Sequence, residues 1–170
     1  MANNIFLVGP MGAGKSTIGK MLADRTGRKF FDTDSVIVEK TGVEIDLIFE
    51  IEGEAGFRKR ERKLIEELTA LDDIVLATGG GAVLSSANRN HLKQRGTVVY
   101  LQASTEQLFE RTAKDKKRPL LQTEDRLGKI REILAVREPL YMEIADEIVA
   151  TDSKSVKQIV DTLCRIKSIS

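Results

Sequence analysis

Short hydrophobic runs alternate along the chain with longer segments in which hydrophobic residues recur at helical spacing. The runs are too short for helices and rich in β-branched or aromatic residues, so we interpret them as strands at 5–8, 30–31, 74–77, 97–101 and 148–150. Between them, Ile18, Met21 and Leu22 mark one helix face, which is expected to stop at Gly27. This alternation predicts βαβ units around a parallel sheet.

Further along, Leu64, Ile65 and Leu68 mark another helix face. Thr105 and Ser153 precede further helical patterns. A hydroxyl side chain in that position accepts a hydrogen bond from a free backbone N–H of the helix. We therefore expect both residues to be N-caps.

One charged segment interrupts this pattern. Residues 114–126 contain Pro119 and show no sustained period, which is typical of a mobile loop or lid. We place the lid at about 112–126. No repeat, low-complexity tract or linker divides the chain, so the sequence predicts a single domain over 1–170.

Composition limits the size of the core and the kind of partner. The chain has 170 residues, of which 41% are hydrophobic, enough for one sizeable core. Its 27 Lys and Arg nearly balance 26 Asp and Glu, so net charge favours neither a nucleic-acid nor a membrane partner. The one cysteine, Cys164, falls in a helical pattern and reads as a small buried hydrophobe. Without a signal-like N-terminus or a membrane-length apolar stretch, we expect a cytoplasmic protein.

The strongest local motif is Gly9-Pro10-Met11-Gly12-Ala13-Gly14-Lys15-Ser16, which fits the Walker A pattern between a predicted strand and a predicted helix. Glycines let backbone N–H groups turn inward, and the helix N-terminus adds further donors. Lys15 is expected at the β- and γ-phosphates of ATP, and Ser16 at Mg²⁺. The residues expected around the phosphates are Gly12, Ala13, Gly14, Lys15, Ser16 and Thr17. A purely structural glycine turn is the alternative.

Two other nucleotide-binding classes fit less well. A dinucleotide-binding turn needs a third small residue where Thr17 stands. A switch GTPase needs an Asn-Lys-x-Asp pattern, which is absent, and Asp125-Arg126-Leu127-Gly128 matches its Asp-x-x-Gly by letters only. Instead, predicted strands end in Asp32-Thr33-Asp34 and Thr78-Gly79-Gly80-Gly81. Open α/β sheets bind ligands at such carboxyl ends.

Taken together, the motifs resemble the shikimate kinase family over nearly the whole chain. The residues that carry the resemblance are the loop 9–17, Asp32-Thr33-Asp34, Gly53-Glu54-Ala55-Gly56-Phe57-Arg58, Thr78-Gly79-Gly80-Gly81, Lys117-Arg118-Pro119-Leu120-Leu121 and Arg137-Glu138-Pro139-Leu140-Tyr141. It implies a three-layer α/β/α P-loop fold of the nucleoside-monophosphate-kinase type, with a five-stranded parallel sheet and a mobile lid. It also implies a Mg²⁺-dependent monomer that transfers the γ-phosphoryl of ATP to the 3-hydroxyl of shikimate, leading to chorismate and aromatic amino acids.

The resemblance assigns roles on the acceptor side. Arg58 and Arg137 correspond to the family's carboxylate-binding arginines. A planar guanidinium suits that role, since it fits a carboxylate better than an ammonium does. The backbone N–H of Gly80 also contacts this carboxylate. Asp34 accepts hydrogen bonds from acceptor hydroxyls and positions or deprotonates the nucleophile. Asp32 is expected to lie nearer Mg²⁺ and to bind it through water.

On the nucleotide side, the resemblance makes Arg118 the lid arginine, which closes over ATP and stabilises charge on the transferring group. Arg111 flanks adenine, and Lys154 lies in the adenine-side loop at a position that varies in the family. The expected catalytic residues are Lys15, Asp34 and Arg118.

Without the resemblance, plainer interpretations stay open. Arg58 reads as a solvated helix charge paired with Glu61, and Arg137 as a surface charge near a helix end. Asp32 or Asp34 can cap the helix that begins near Ser35. The glycines can serve only to turn the chain, and a basic lid can be merely solvated.

Two rival functions also remain. One is another P-loop small-molecule kinase acting on gluconate or a nucleoside monophosphate, which should lack the set Asp34, Arg58, Gly80 and Arg137. The other is a nucleotide-binding module without enzymatic activity, which would keep the phosphate loop but needs neither an acceptor site nor a lid arginine.

Overall fold

Five parallel strands form the central sheet, in the order β2-β3-β1-β4-β5. The computed structural model describes residues 3–113, 121 and 124–169. The strands are β1 (Ile5–Val8), β2 (Lys29–Asp32), β3 (Ile74–Ala77), β4 (Thr97–Gln102) and β5 (Glu147–Ala150). The helices are α1 (Lys15–Thr26), α2 (Thr33–Thr41), α3 (Ile45–Thr69), α4 (Ser86–Arg95), α5 (Thr105–Arg111), α6 (Arg126–Ile144) and α7 (Val156–Cys164), with a 3₁₀ turn at Ala82–Leu84.

The side chains of β1 show why the sheet needs helices on both faces. Phe6 and Val8 enter one hydrophobic cluster with residues of α3, α4 and α6, whereas Ile5 and Leu7 enter a second cluster with residues of α1 and α7. Successive residues of a strand point to opposite faces, so a strand buried on both sides reads as a continuous hydrophobic run. The predicted three-layer α/β/α fold with a parallel sheet is confirmed.

Helix ends agree with the sequence at some positions and not at others. Gly27 ends α1 with a left-handed φ of 72° and donates its N–H to the carbonyl of Ala23, as predicted. The Asp-x-x-Gly letters belong to a helix start, since the side chain of Asp125 accepts from the N–H of Gly128 and caps α6.

None of the helices in 3–113 and 124–169 is long and apolar enough to span a bilayer.

Two predicted caps are wrong. Ser104 caps α5, because its backbone is extended and its side chain accepts from the N–H of Gln107, while Thr105 is already helical. The last helix is capped by Ser155 in a reciprocal pair of hydrogen bonds with Gln158. Ser153 instead has a φ of 59° in the preceding turn. Cys164 is partly exposed rather than buried, and it packs at the margin of the second cluster.

Candidate active site

The phosphate-binding loop, residues 9–16, joins β1 to α1 at the centre of the sheet. Gly12 and Gly14 have φ values of 88° and 90°, which residues with side chains rarely adopt. The buried ammonium of Lys15 donates to the carbonyl oxygens of Gly9 at 2.7 Å and Pro10 at 2.8 Å. Ala13 packs its side chain into the core and donates its N–H to Pro10. The loop therefore combines a curled backbone with a fixed positive charge, as phosphate binding requires.

Asp32 lies at the end of β2, beside the start of α1. One of its carboxylate oxygens accepts from the N–H of Ser35 at 3.0 Å and caps α2, while the other accepts from the hydroxyl of Ser16. The cap interpretation of Asp32 is thus confirmed, and the cap leaves Asp32 in contact with Ser16. A hydroxyl and a carboxylate are oxygen ligands of the kind Mg²⁺ prefers. In the described residues, no cluster of three or more His, Cys, Asp or Glu could hold a metal, so phosphates and water would have to complete the shell.

A cleft of about 430 Å³ opens between the phosphate loop and the ends of the neighbouring strands. The predicted site residues on its wall are Gly12, Gly14, Lys15, Ser16, Thr17, Asp32, Asp34, Gly80 and Arg111. Gly79 lies on the same wall, and its N–H donates to the buried hydroxyl of Thr33 at 3.0 Å. A Cβ at Gly79 would lie 2.9 Å from Glu61 and 3.2 Å from Asp34, so the two carboxylates leave room only for glycine.

Arg58 lies on α3 behind the glycine loop, residues 79–81. Its guanidinium donates to Glu61 at 2.9 Å and pairs with Glu54 at 3.5 Å. The pairing with Glu61 is confirmed, but the solvated interpretation is wrong, because the side chain of Arg58 is only 15% exposed and that of Glu61 only 1%. Burial raises the pKa of Glu61, and the charge of Arg58 opposes this shift. A Cβ at Gly81 would lie 2.6 Å from Cζ of Arg58, so the guanidinium lies directly against the loop.

Arg137 is buried within α6 and is only 5% exposed. Its Nη1 lies 3.4 Å from the position of a Cβ at Gly80. Burial and then the positive charge of Arg58 lower the pKa of Arg137, whereas Tyr141 and nearby carboxylates raise it. The interpretation of Arg137 as a surface charge near a helix end is wrong, because α6 continues to Ile144 and packs this side chain against the glycine loop.

Of the three residues expected to contact the nucleotide outside the phosphate loop, one lines the cleft. Arg111 lines it and bridges two loops, donating to the carbonyl of Gly12 at 3.2 Å and to Thr151 at 3.2 and 3.3 Å. Lys154 is exposed and is not part of the cleft wall. Arg118 lies outside the described residues, as do residues 114–117, 119–120 and 122–123 of the predicted lid.

The sequence interpretation gave no role at the site to Thr33, Glu61 and Tyr141. Glu61 was visible only as a helical neighbour of Arg58, and Thr33 as the middle residue of Asp-Thr-Asp. The hydroxyl of Tyr141 donates to the carbonyl of Gly80 at 2.5 Å. Its contact spans 61 positions in the chain, a separation that no local pattern reveals.

Comparison with known proteins agrees with this geometry. The family model described as shikimate kinase matches residues 11–167. A shikimate kinase of Actinobacillus succinogenes is 58% identical over 165 residues, with 94% of each chain covered. The solved structure of a shikimate kinase from Acinetobacter baumannii in complex with shikimate has a TM-score of 0.93 and 49% identity, and the match covers 95% of this chain and 90% of that one. A gluconokinase from Sinorhizobium meliloti, with a TM-score of 0.61 and 18% identity over 93% of this chain and 87% of that one, shares only the fold. A match of this extent, over a fold and a cleft of the expected form, shows that the chain belongs to the shikimate kinase family.

Proposed function

We propose that this chain transfers the γ-phosphoryl group of ATP to the 3-hydroxyl of shikimate. The observation that carries the proposal is the buried guanidinium of Arg137, which forms no ion pair within the described residues. Glu54 and Glu61 raise the pKa of Arg137 but form no ion pair with it, and a bound anion would reduce the cost of burying this charge. The carboxylate of shikimate is such an anion, and the relative from Acinetobacter baumannii was solved with shikimate bound.

The acceptor site we propose combines two guanidinium groups with a glycine backbone. Arg58 and Arg137 bind the carboxylate, and the N–H of Gly80 adds a third donor. Glu61 holds the guanidinium of Arg58 in place through their 2.9 Å hydrogen bond. Each charge-assisted contact contributes about 1.5–3 kcal/mol. This arrangement directs the ring hydroxyls of shikimate towards Asp34 and the phosphate loop.

Phosphoryl transfer passes through a loose transition state, so positioning and charge neutralisation matter more than the strength of a base. We propose that Lys15 neutralises charge on the β- and γ-phosphates and that Asp34 orients the attacking hydroxyl and takes up its proton. Ser16 and Asp32 would hold Mg²⁺, which supplies further neutralisation of phosphate charge when bound. The N–H groups of Gly12, Gly14 and Thr17 complete the phosphate contacts, whereas the N–H of Ala13 is already donated to Pro10 within the loop.

Other parts of the proposal rest on the resemblance. Arg118 would close over the nucleotide as part of a lid, Arg111 would flank adenine, and the loop of Lys154 would contact adenine through its backbone. A single domain, a monomeric state, a cytoplasmic location and the lack of nucleic-acid or membrane partners stay predictions.

The test of the reaction is a coupled ADP-release assay with Mg-ATP in which shikimate, gluconate and AMP are offered separately. We expect ADP release with shikimate only. Release with gluconate or AMP, and none with shikimate, would overturn the acceptor assignment and favour the rival kinases.

Variants test the roles of single residues. Lys15→Ala should abolish turnover, because it removes the charge at the phosphates. Arg58→Lys should mainly raise KM for shikimate, because an ammonium cannot replace the planar fork. Arg60→Lys is the matched control, since Arg60 lies on the same helix but is exposed and pairs with Glu52 at 2.7 Å. Equal shikimate affinity in Arg58→Lys and Arg60→Lys would refute the role of Arg58.

A further inference from the structure

Tyr141 reaches from α6 to the glycine loop at the back of the cleft. Its hydroxyl donates to the carbonyl of Gly80 at 2.5 Å, and its side chain is fully buried. The ring stacks on Tyr100 with centroids 5.0 Å apart. Burial raises the pKa of Tyr141, although the nearby guanidinium of Arg137 opposes the shift, and the hydroxyl keeps its proton and remains a donor at neutral pH.

The hydrogen bond fixes one peptide plane. The carbonyl of Gly80 and the N–H of Gly81 belong to the same planar trans unit and point in opposite directions. Tyr141 therefore determines where the N–H of Gly81 points, and it limits rotation about the neighbouring bonds of Gly80. Successive glycines have more backbone freedom than any other residues, so this loop requires such an anchor.

The rest of the loop is held at its ends. The N–H of Gly79 donates to Thr33, and the carbonyl of Gly79 accepts from Ala82, both at 3.0 Å. In the described part of the chain, no group accepts from the N–H of Gly80 or Gly81. An added Cβ at Gly80 would lie 3.4 Å from Nη1 of Arg137, and one at Gly81 would lie 2.6 Å from Cζ of Arg58, so both glycines lie against the two guanidinium groups. A carboxylate bound by the arginines would be a suitable acceptor for the two N–H groups.

We propose that Tyr141 is a positioning residue, which orients the Gly80–Gly81 peptide for the carboxylate of the acceptor. The inference rests on the proposed function, because it takes the acceptor to carry a carboxylate. It goes beyond that function by giving a residue that touches no substrate a role in acceptor specificity.

The test compares Tyr141→Phe with Tyr100→Phe. Each change deletes one buried tyrosine hydroxyl from the same stacked pair, but the hydroxyl of Tyr100 donates to Glu138 at 2.5 Å instead of the glycine loop. We expect Tyr141→Phe to raise KM for shikimate about 2- to 12-fold, the effect of one neutral hydrogen bond. KM for ATP should not change, and Tyr100→Phe should leave both KM values unchanged.

The methyl ester of shikimate lacks the negative charge. It therefore distinguishes a loss of the oriented Gly80–Gly81 peptide from a general loosening of the acceptor site. The rise in the dissociation constant caused by Tyr141→Phe, measured by calorimetry, should be smaller for the ester than for shikimate. Equal losses for both ligands, or equal KM effects in both phenylalanine variants, would overturn the proposal. A wild type that is inactive with shikimate would instead refute the proposed function.

Amide NMR gives a readout that does not depend on turnover. In the wild type, the resonances of Gly80 and Gly81 should shift on addition of shikimate and shift less with its methyl ester. Tyr141→Phe should reduce the response to shikimate. If Tyr141→Phe does not fold, the wild-type titration decides, since equal responses to the acid and the ester, or none to either, would contradict the inference.

Discussion

Gly81→Ala should act on catalysis through one contact, that of the new methyl group with Arg58. The backbone at Gly81 has φ −95° and ψ 4°, which alanine tolerates, so the substitution does not strain the chain itself. The new Cβ would lie 2.6 Å from Cζ of Arg58, about 0.8 Å short of ordinary contact at 3.4 Å. The guanidinium must therefore move.

The size of the effect follows from what the guanidinium holds. Arg58 donates to Glu61 at 2.9 Å, so a movement of this size disturbs that hydrogen bond and displaces the donors from the proposed position of the acceptor carboxylate. Loss of one charge-assisted contact costs about 1.5–3 kcal/mol. We expect kcat/KM for shikimate to fall about 10- to 150-fold, with KM for ATP unchanged.

The assay is ADP release at saturating Mg-ATP with varied shikimate, in the wild-type and Arg58→Ala backgrounds. Arg58→Ala removes the atoms that the new methyl group meets, so Gly81→Ala should cause no further loss there. Urea denaturation gives a second measurement that does not require activity. In the Arg58→Ala background, Gly81→Ala should raise the free energy of unfolding by about 0.4–1 kcal/mol, because alanine restricts the unfolded chain.

A loss of kcat/KM of equal size from Gly81→Ala in both backgrounds would contradict this prediction. That result would mean that the methyl group disturbs the loop and not Arg58. An unchanged kcat/KM in the wild-type background would mean that Arg58 can move without losing the acceptor.

Three further predictions concern stability. Because burial raises the pKa of Glu61, the folded chain binds this proton more tightly than the unfolded chain does. The wild type should therefore lose stability relative to Glu61→Gln as pH rises from about 4. If urea denaturation shows the same difference in free energy of unfolding between the two proteins at every pH, the prediction is wrong. Gly19→Ala places a Cβ 2.5 Å from the ring of Phe30 and should lower the free energy of unfolding by about 1–3 kcal/mol despite the better helix propensity of alanine; an unchanged or higher melting temperature would contradict it. Ser155→Ala should cost about 1 kcal/mol through loss of the cap, while Ser153→Ala should stay within about 0.5 kcal/mol, and equal effects in thermal denaturation would contradict the assignment.

The strands were predictable because burial on both faces leaves a direct mark on the sequence. All four residues of β1 and of β3 are buried, and the predicted bounds of both strands match the structure. At the edge of the sheet the hydrophobic pattern is less complete. In β2, Lys29 is exposed and Asp32 is a charged residue at the end of the strand, so the hydrophobic pattern marks only the two phenylalanines between them.

Positions decided by backbone angles or by distant packing were not predictable. Ser104 and Thr105 are adjacent hydroxyl residues with similar capping ability, and only the local φ and ψ distinguish them. The plainer interpretation places Arg137 near a helix end, yet α6 continues through Pro139 to Ile144. Pro139 is exposed, so solvent can supply the hydrogen bond that a proline removes.

The site residues likewise fall into those that a contiguous motif reveals and those that only distant packing reveals. The phosphate loop is a contiguous motif, so its residues were recognisable together. The roles of Arg58 and Arg137 depend on what lies opposite them, and without the family resemblance the local sequence indicates only surface charges. Glu61 and Tyr141 become meaningful only once α3 and α6 are placed against the glycine loop.

The double use of Asp32 restricts which residues can occupy its position. As the cap of α2 it is replaceable by asparagine, serine or threonine at little cost to stability. Asp32 is also the partner of Ser16 at the end of β2, and only an acidic side chain supplies an anionic oxygen there. A variant chosen for thermal stability alone would therefore accept Asp32→Asn, and screening for folded protein would not detect the loss of the anionic oxygen beside Ser16. The residue at position 32 must therefore both cap α2 and carry a negative charge beside Ser16. A stability assay tests only the cap, and an activity assay does not separate the two requirements.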